Sequence, residues 1–551
     1  MKALWQYFIS LVRWISLWFE YAFGGLFGAF PVVSERVASP AAIDGGICRA
    51  DSEEWTTNEA FRTYHFGHGN ETMVTVQTST HAFHVDLHRL SECSEYFRAL
   101  SQSRMRETSE SLIHLEHIPS SVFHNLLEFS FNCHFKAPKE ELGEHIQVSS
   151  YLLAEAFLSR CLSVLADELS PSNCLSYLSL AQEIFCAELK VAVLSYLSRN
   201  LLELPHIIRC LNDEEKEKVL NLRICGNQHL CSVRKENLTS WNDPETEQAR
   251  HVFTLKGPEN GGVWHPVTEL PFRADKWCFT TVVLYNYLYV IGGYRQRKKR
   301  GWEFCMASFR FNPLAHSWAA TSPLIKRRRH FSAVACEGCI YAVGGWYLDS
   351  LVTPDSSTAL YTAVECYDPW EDRWRFVSSL PLTDFQFTMS LSHDVPLATS
   401  LGHCVYVLGS ILRTGEKLLL QYNTKQGAEN PTRTHLPSYL WSELLPTLTR
   451  ADADLPSLYF LGATDQLLVI GGNNTESVMT SFSAQSKKWG QVHSVRKVTF
   501  AGQGTVVMDK FLMPSIEHNT VMKMDLRTLS VTTLPSLPVP TRYESIFYLY
   551  F

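Results

Sequence analysis

A short apolar strand closed by glycine recurs down the C-terminal half of the chain, and no other feature restricts the fold as much. Leu288-Tyr289-Val290-Ile291-Gly292-Gly293 returns as Ile340-Tyr341-Ala342-Val343-Gly344-Gly345, as Val405-Tyr406-Val407-Leu408-Gly409-Ser410 and as Leu467-Leu468-Val469-Ile470-Gly471-Gly472. The intervals are roughly 50–65 residues, a length typical of sheet-repeat architectures. A second phrase follows three of these strands. Phe311-Asn312-Pro313 leads to Trp318 and Pro323, Val364-Glu365-Cys366-Tyr367-Asp368-Pro369 to Trp374 and Pro381, and Tyr422-Asn423 to Trp441 and Pro446. Such a unit hides its two sheet faces only by stacking on its neighbours, which predicts four-stranded antiparallel blades arranged around an axis. The apolar strand is expected inside, its glycines letting backbones pass closely, and the Trp of the outer strand filling the wedge between blades.

The later units are worn. Phe511-Leu512-Met513-Pro514 stands in the place of a fifth glycine-bearing strand. Val252-Phe253-Thr254-Leu255 with Trp264 and Pro271 mimics the second half of a repeat, and Arg542 to Phe551 the first strand of one. Joining the two ends predicts a propeller over 250–551 with six blades, the last composite. No match for its second strand follows at the C-terminus, so that blade is expected to be irregular.

Upstream, the hydrophobic period changes from two to that of a helix. Residues 71–168 read as an α/β domain, with strands at Met73–Gln77, His81–Val85 and Ser111–Leu115 and amphipathic helices at Leu87–Leu100 and Val122–Phe129. Residues 169–225 read as helices broken by Ser170-Pro171-Ser172 and Asn200, and 226–249 as a polar linker. Residues 34–70 carry Pro40, Gly45-Gly46, Gly67 and Gly69 and read as another linker. Residues 1–33 are apolar and aromatic, with Trp5, Trp14 and Trp18, while Gln6, Ser10, Arg13 and Glu20 fall on one helical stripe. Spanning a bilayer would bury Arg13 at a cost of about 2.5–3.5 kcal/mol. Contact with a membrane surface, or with protein, leaves that stripe wet.

At 551 residues the chain exceeds one core. A net charge of −7 argues against nucleic acid as the partner of the whole chain. The fifteen cysteines hold one CxxC, Cys336 and Cys339, with no second pair to complete a zinc site. They are expected to be reduced thiols of a cytoplasmic chain without metal or cofactor. No phosphate loop, GxSxG, HExxH or dinucleotide fingerprint is present, so no catalytic residue is expected.

The domain order with its motifs resembles the BTB–Kelch (Kelch-like) family. Phe83-x-Val85, Leu90, Ser94-x-Tyr96-Phe97, Met105-Arg106-Glu107 and Val122-Phe123-x-x-Leu126-Leu127-x-Phe129 look like a BTB core. Asn173-Cys174-Leu175, Ala181 and Tyr196–Asn200 look like the start of a BACK domain, here about half its usual length, and the glycine-closed strands look like Kelch repeats. Asp86-Leu87 stands where the family usually has His-Lys. The resemblance implies an α/β BTB domain, an α-helical BACK segment and an all-β Kelch propeller, acting as a non-catalytic substrate adaptor of a ubiquitin ligase. BTB would bind a cullin-3-type scaffold through Met105 and Glu107 and pair with a second copy, and the propeller would hold the substrate.

The repeat itself points to where a substrate would sit. In such a blade the loop between second and third strands and the connection to the next blade open on the same side. The first carries Arg295, Arg297, Lys298, Lys299 and Arg300, the second Lys326, Arg327, Arg328 and Arg329. Convergent guanidinium groups suit an acidic or phosphorylated segment. The same runs also fit a solvated surface or a nuclear-import signal. Two other functions stay open: a cytoskeletal or membrane-associated scaffold, which the aromatic N-terminus favours, and a nuclear transcriptional co-regulator, which the basic runs favour.

Overall fold

The computed structural model describes residues 63–66, 73–103, 111–235, 249–257, 261–272, 276–277, 279–297, 301–328, 331–345, 363–377, 379, 397–410, 417–425, 432–435, 458–472, 477–495, 498, 502–515, 517–539 and 544–551. The N-terminal domain is built on the hairpin of β2 (Met73–Gln77) and β3 (Ala82–Asp86). Each buries every second residue, Val74 and Val76 facing Phe83 and Val85, as a sheet covered on one face requires. β4 (Leu112–His114) joins β2 in parallel and β1 (Thr63–Phe66) joins β3 in parallel. β1 lies inside the stretch expected to be a linker over 34–70. Four residues are too few to display a period, and only pairing with β3 defines them as a strand.

Local capping chemistry starts the helices. Asp86 accepts from the His88 amide at 3.0 Å and opens α1 (Leu87–Cys93), so the acid where the family usually has His-Lys serves as an N-cap. Ser94 caps α2 (Glu95–Gln102). With α3 (Ser120–Asn132) these helices close over the sheet. The rings of Phe83 and Phe123 meet edge to face at 5.2 Å, and Phe97 is buried beside them. The helical region follows as α4 (Leu142–Tyr151), α5 (Glu155–Glu168), α6 (Cys174–Glu183), α7 (Ala187–Arg199), α8 (Pro205–Cys210) and α9 (Asp213–Leu222). Its breaks fall at polar residues that satisfy helix ends. Asn173 accepts from Ser170 N and donates to Glu168 O, and Asn212 caps α9.

Among the described residues six four-stranded antiparallel blades then form a ring, with Gly502–Gln503 added in parallel to the edge of the last. Blade 1 is Thr280–Leu284, Tyr287–Ile291, Ser308–Asn312 and Ser317–Thr321. Blade 2 is Ser332–Cys336, Cys339–Val343, Val364–Asp368 and Arg373–Val377. Blades 3, 4 and 5 have their second strands at Cys404–Ser410, Gln466–Gly472 and Lys510–Ser515, the last being the glycine-free unit expected there. The first strands of blades 1 to 5 touch in succession, the second strand of blade 5 touches the first strand of blade 6 (Glu544–Tyr550), and that strand returns to Thr280–Leu284. An apolar cluster fills each gap between blades, and the one between blades 1 and 2 is continuous with the core of the helical region and the N-terminal domain.

Blade 6 corrects the expected irregular closure. Its second strand is β5 (Gln228–Arg234), inside the segment read as a linker over 226–249, and it pairs with Glu544–Tyr550 along its whole length. β6 (His251–Lys256) and β7 (Val263–Glu269) complete the sheet. The ring is thus closed by strands from both ends of the propeller sequence, and the expected missing strand comes before it rather than after it.

The tryptophans do fill the wedges, and they also bond across them. Trp264 Nε1 donates to Pro535 O at 3.0 Å, Trp318 Nε1 to Thr268 Oγ1 at 2.9 Å and Trp374 Nε1 to Ser322 O at 3.0 Å, each reaching the end of the preceding blade's outer strand. Trp489, which the repeat reading overlooked, holds the same position in blade 4. The outer strand of blade 3 is Thr432–His435, and Trp441, assigned that role from sequence, lies outside the described residues. The glycine pairs do not share one role. Gly292, Gly293, Gly344 and Gly345 have φ of 65, 103, 69 and 94°, a conformation that a Cβ disfavours, and there the chain leaves the ladder. Gly409, Gly471 and Gly472 instead continue it, opposite Leu418, Val478 and Ser477.

Candidate functional site

Strand registers define the two ends of blade 1. Leu284 pairs with Tyr287 and Asn312 with Ser317 at one end, Thr280 with Ile291 and Ser308 with Thr321 at the other. The helical region is docked against the first end. The Tyr285 carbonyl accepts from Arg223, just past α9, Asn312 Nδ2 donates to Arg199 O at the end of α7 at 2.7 Å, and the Trp370 carbonyl of blade 2 accepts from Arg209 of α8 at 3.1 Å. The opposite end carries the basic segments.

There Tyr294–Arg297 and Gly301–Phe304 form a hairpin that projects from blade 1, and Lys276–Trp277, from the connection entering that blade, pairs onto it. Loops of the two kinds therefore do lie together, with Arg295 opposite Lys276 and Arg297 at the hairpin's end. Lys298, Lys299 and Arg300, the residues between its strands, lie outside the described residues, as do Arg329, Met105 and Glu107.

The next connection holds Lys326 and Arg327 exposed to solvent. Arg328 is a correction to the expected binding set: it is buried, and so is its partner Glu365 at 2.5 Å. Its guanidinium also donates to the carbonyls of Ala342, Gly344 and Ala363. Glu365 accepts from the amides of Ile325 at 2.7 Å and Lys326 at 3.2 Å. One buried pair thus pins the loop that presents Lys326 and Arg327. A basic run gives no sign of which member turns inward, because the acid that holds Arg328 stands on the third strand after it.

Sequence reasoning also missed a polar cluster at the docked end. Arg223, just past α9, is 1% exposed. It donates to Ser198 O and Arg199 O in the last turn of α7, to Tyr285 O and Asn286 O in the blade 1 turn, and to Asn312 Oδ1. Its guanidinium lies 4.0 Å from the Tyr287 ring centre. Burial pulls its pKa down, while Tyr287 and Glu203 work against that. Tyr287 Oη donates to Glu203 at 2.6 Å and accepts from Leu202 N at 3.1 Å, and Arg310 donates to Leu202 O at 2.9 Å. Among the described residues no cluster of three metal-ligating side chains occurs, and no helix is long and apolar enough to cross a membrane.

The BTB/POZ domain model matches residues 66–169, and the Kelch motif model matches 327–381. Kelch domain-containing protein 7A of Mus musculus is 31% identical over 267 residues, 48% of this chain and 30% of that protein. Kelch-like protein 23 of the same organism is 22% identical over 418 residues, 63% of this chain and 72% of that protein. Kelch repeat and BTB domain-containing protein 2 of Homo sapiens is 22% identical over 402 residues, 58% of this chain and 62% of that protein. The matched part thus spans under a third of the first relative and under two thirds of the third. With a BTB/POZ match ahead of a Kelch-motif match, and six blades in one ring among the described residues, the chain is similar in domain order to the Kelch-like and the Kelch repeat and BTB domain-containing proteins.

Proposed function

We propose that this chain is a substrate-recognition adaptor of a cullin-3-type ubiquitin ligase. The BTB domain would bind the cullin through Met105 and Glu107, and the propeller would hold the substrate. The observation that carries the reading is the division of the propeller's two ends. The helical region occupies the end with the Tyr285-Asn286 turn, while Lys326 and Arg327 stand exposed at the other. A partner bound there would be held away from the BTB-bound machinery, on the opposite side of the ring. The exposed cations and the adjacent hairpin with Arg295 and Arg297 suit an acidic or phosphorylated segment. The adaptor itself performs no chemistry in this reading, and BTB pairing would give the ligase two propellers.

The test is capture of the type-3 cullin by the full chain and by Met105→Ala/Glu107→Ala. Capture by the wild type, lost in the folded double variant, is the expected result. No capture by the wild type removes the ligase reading and leaves a scaffold. For the substrate face, Lys326→Glu/Arg327→Glu is expected to strip a set of captured proteins while cullin binding persists. An unchanged set removes the basic face as the recognition surface.

A further inference from the structure

We infer that Arg223 is a positioning residue that locks the helical region and the propeller into one body, so that neither opens without the other. This stands on the docked interface alone and is independent of the ligase reading.

The acceptors of Arg223 come from both sides of the interface. Ser198 O and Arg199 O belong to the helical region, at the C-terminal turn of α7, where orphan carbonyls carry partial negative charge. Tyr285 O, Asn286 O and Asn312 Oδ1 belong to blade 1. All are neutral oxygens, so a buried cation is satisfied only while both sets are in place. Separating the bodies strips it of one set and leaves the last turn of α7 uncapped.

Ring closure is tied to the same point. Asn286 Nδ2 donates both to Arg223 O at 3.1 Å and to Tyr550 O at 2.9 Å, and Tyr550 N donates back to Asn286 Oδ1 at 2.8 Å. Asn286 holds φ of 57°, a left-handed conformation that asparagine tolerates. The residue just past α9, the blade 1 turn and the C-terminal strand therefore meet at one side chain, that of Asn286. Apolar packing continues across the interface, where Leu201, Leu202 and Leu204 share a core with Leu284 and Tyr287. Apolar contact is non-directional. The planar guanidinium, bonded to five fixed oxygens, supplies the orientation.

The experiment is native-state hydrogen exchange of the full chain at increasing denaturant, read by mass spectrometry on peptides from α7, from Thr280–Ile291 and from Gln466–Gly472 in blade 4. In the wild type, α7 and blade 1 are expected to lose protection at the same denaturant concentration. In Arg223→Met, α7 and the Tyr285-Asn286 turn are expected to exchange about tenfold faster or more while blade 4 stays protected. Arg223→Lys should behave like Arg223→Met, because one ammonium cannot reach acceptors on both sides. A uniform rise in all three peptides would make Arg223 a stability residue only and overturn the inference, as would no change in any of them. Should Arg223→Met not fold, Asn312→Ala removes one blade 1 acceptor of Arg223 together with the Asn312 donation to Arg199 O across the same interface, and is read the same way. Independent opening of α7 and blade 1 in the wild type overturns the inference without any variant.

Discussion

Replacing Arg328 with methionine tests how the basic loop is held. Arg328 and Glu365 have no solvent-exposed side-chain area and lie 2.5 Å apart. The change removes the ion pair and three donations to backbone carbonyls, at 3.3, 2.8 and 3.1 Å. Glu365 keeps the amides of Ile325 and Lys326, two donors for a carboxylate that has lost its counter-charge. Breaking a buried pair from one side costs about 3–5 kcal/mol, most of it the stranded charge. That is a large part of the 5–15 kcal/mol, roughly, that holds a domain together. Removing both charges in Arg328→Met/Glu365→Leu strands no ion and should recover most of the loss, although the two loop amides then lack an acceptor. The assay is urea unfolding of wild type, both single variants and the double, read as a coupling energy. A single-variant cost under about 1 kcal/mol, or a double variant no better than Arg328→Met, would refute the argument. Lys326→Glu/Arg327→Glu should leave the same unfolding midpoint unchanged, since both side chains are solvated.

Other outcomes follow from the same contacts. Trp374→Phe loses the donation to Ser322 O and part of a buried ring, for an expected cost of about 1–2 kcal/mol by unfolding; a neutral result would mean the wedge is filled by shape alone. Burial pushes the Cys161 and Cys231 thiols up to about 12, so both stay protonated at neutral pH. Native alkylation mapped by mass spectrometry should mark the exposed Cys133, Cys210 and Cys225 and spare those two. Val233→Asp places a carboxylate in the core of β5, where Val233 is wholly buried. It should open the ring and free the C-terminal strand to limited proteolysis, whereas the same change at exposed Val263 should not.

The blades and their order were legible in the chain because a repeat shows its period wherever each unit buries the same face. The second strands at 288, 340, 405 and 467, the worn unit at 511 and the split last blade all stand where the pattern puts them. The helical region and the hairpin of the first domain were equally legible, since apolar spacing follows directly from one-sided burial. That the loop between second and third strands and the connection to the next blade leave the same end of blade 1 was readable too, because antiparallel order alone decides it.

Partners far apart in sequence decided the rest. Gln228–Arg234 looks polar beside a charged stretch, and it is a strand because Glu544–Tyr550, at the other end of the chain, needs an edge to pair with. Arg328 and Arg327 are indistinguishable as neighbours in a basic run, and Glu365 selects which of them is buried. Arg223 reads as an ordinary charge after a helix, yet its five acceptors lie on two separate bodies. Periodic burial is written locally, residue by residue. The pairing of a buried polar group with its partner is a property of the folded chain, because desolvation makes the group costly only once the partner has been brought to it.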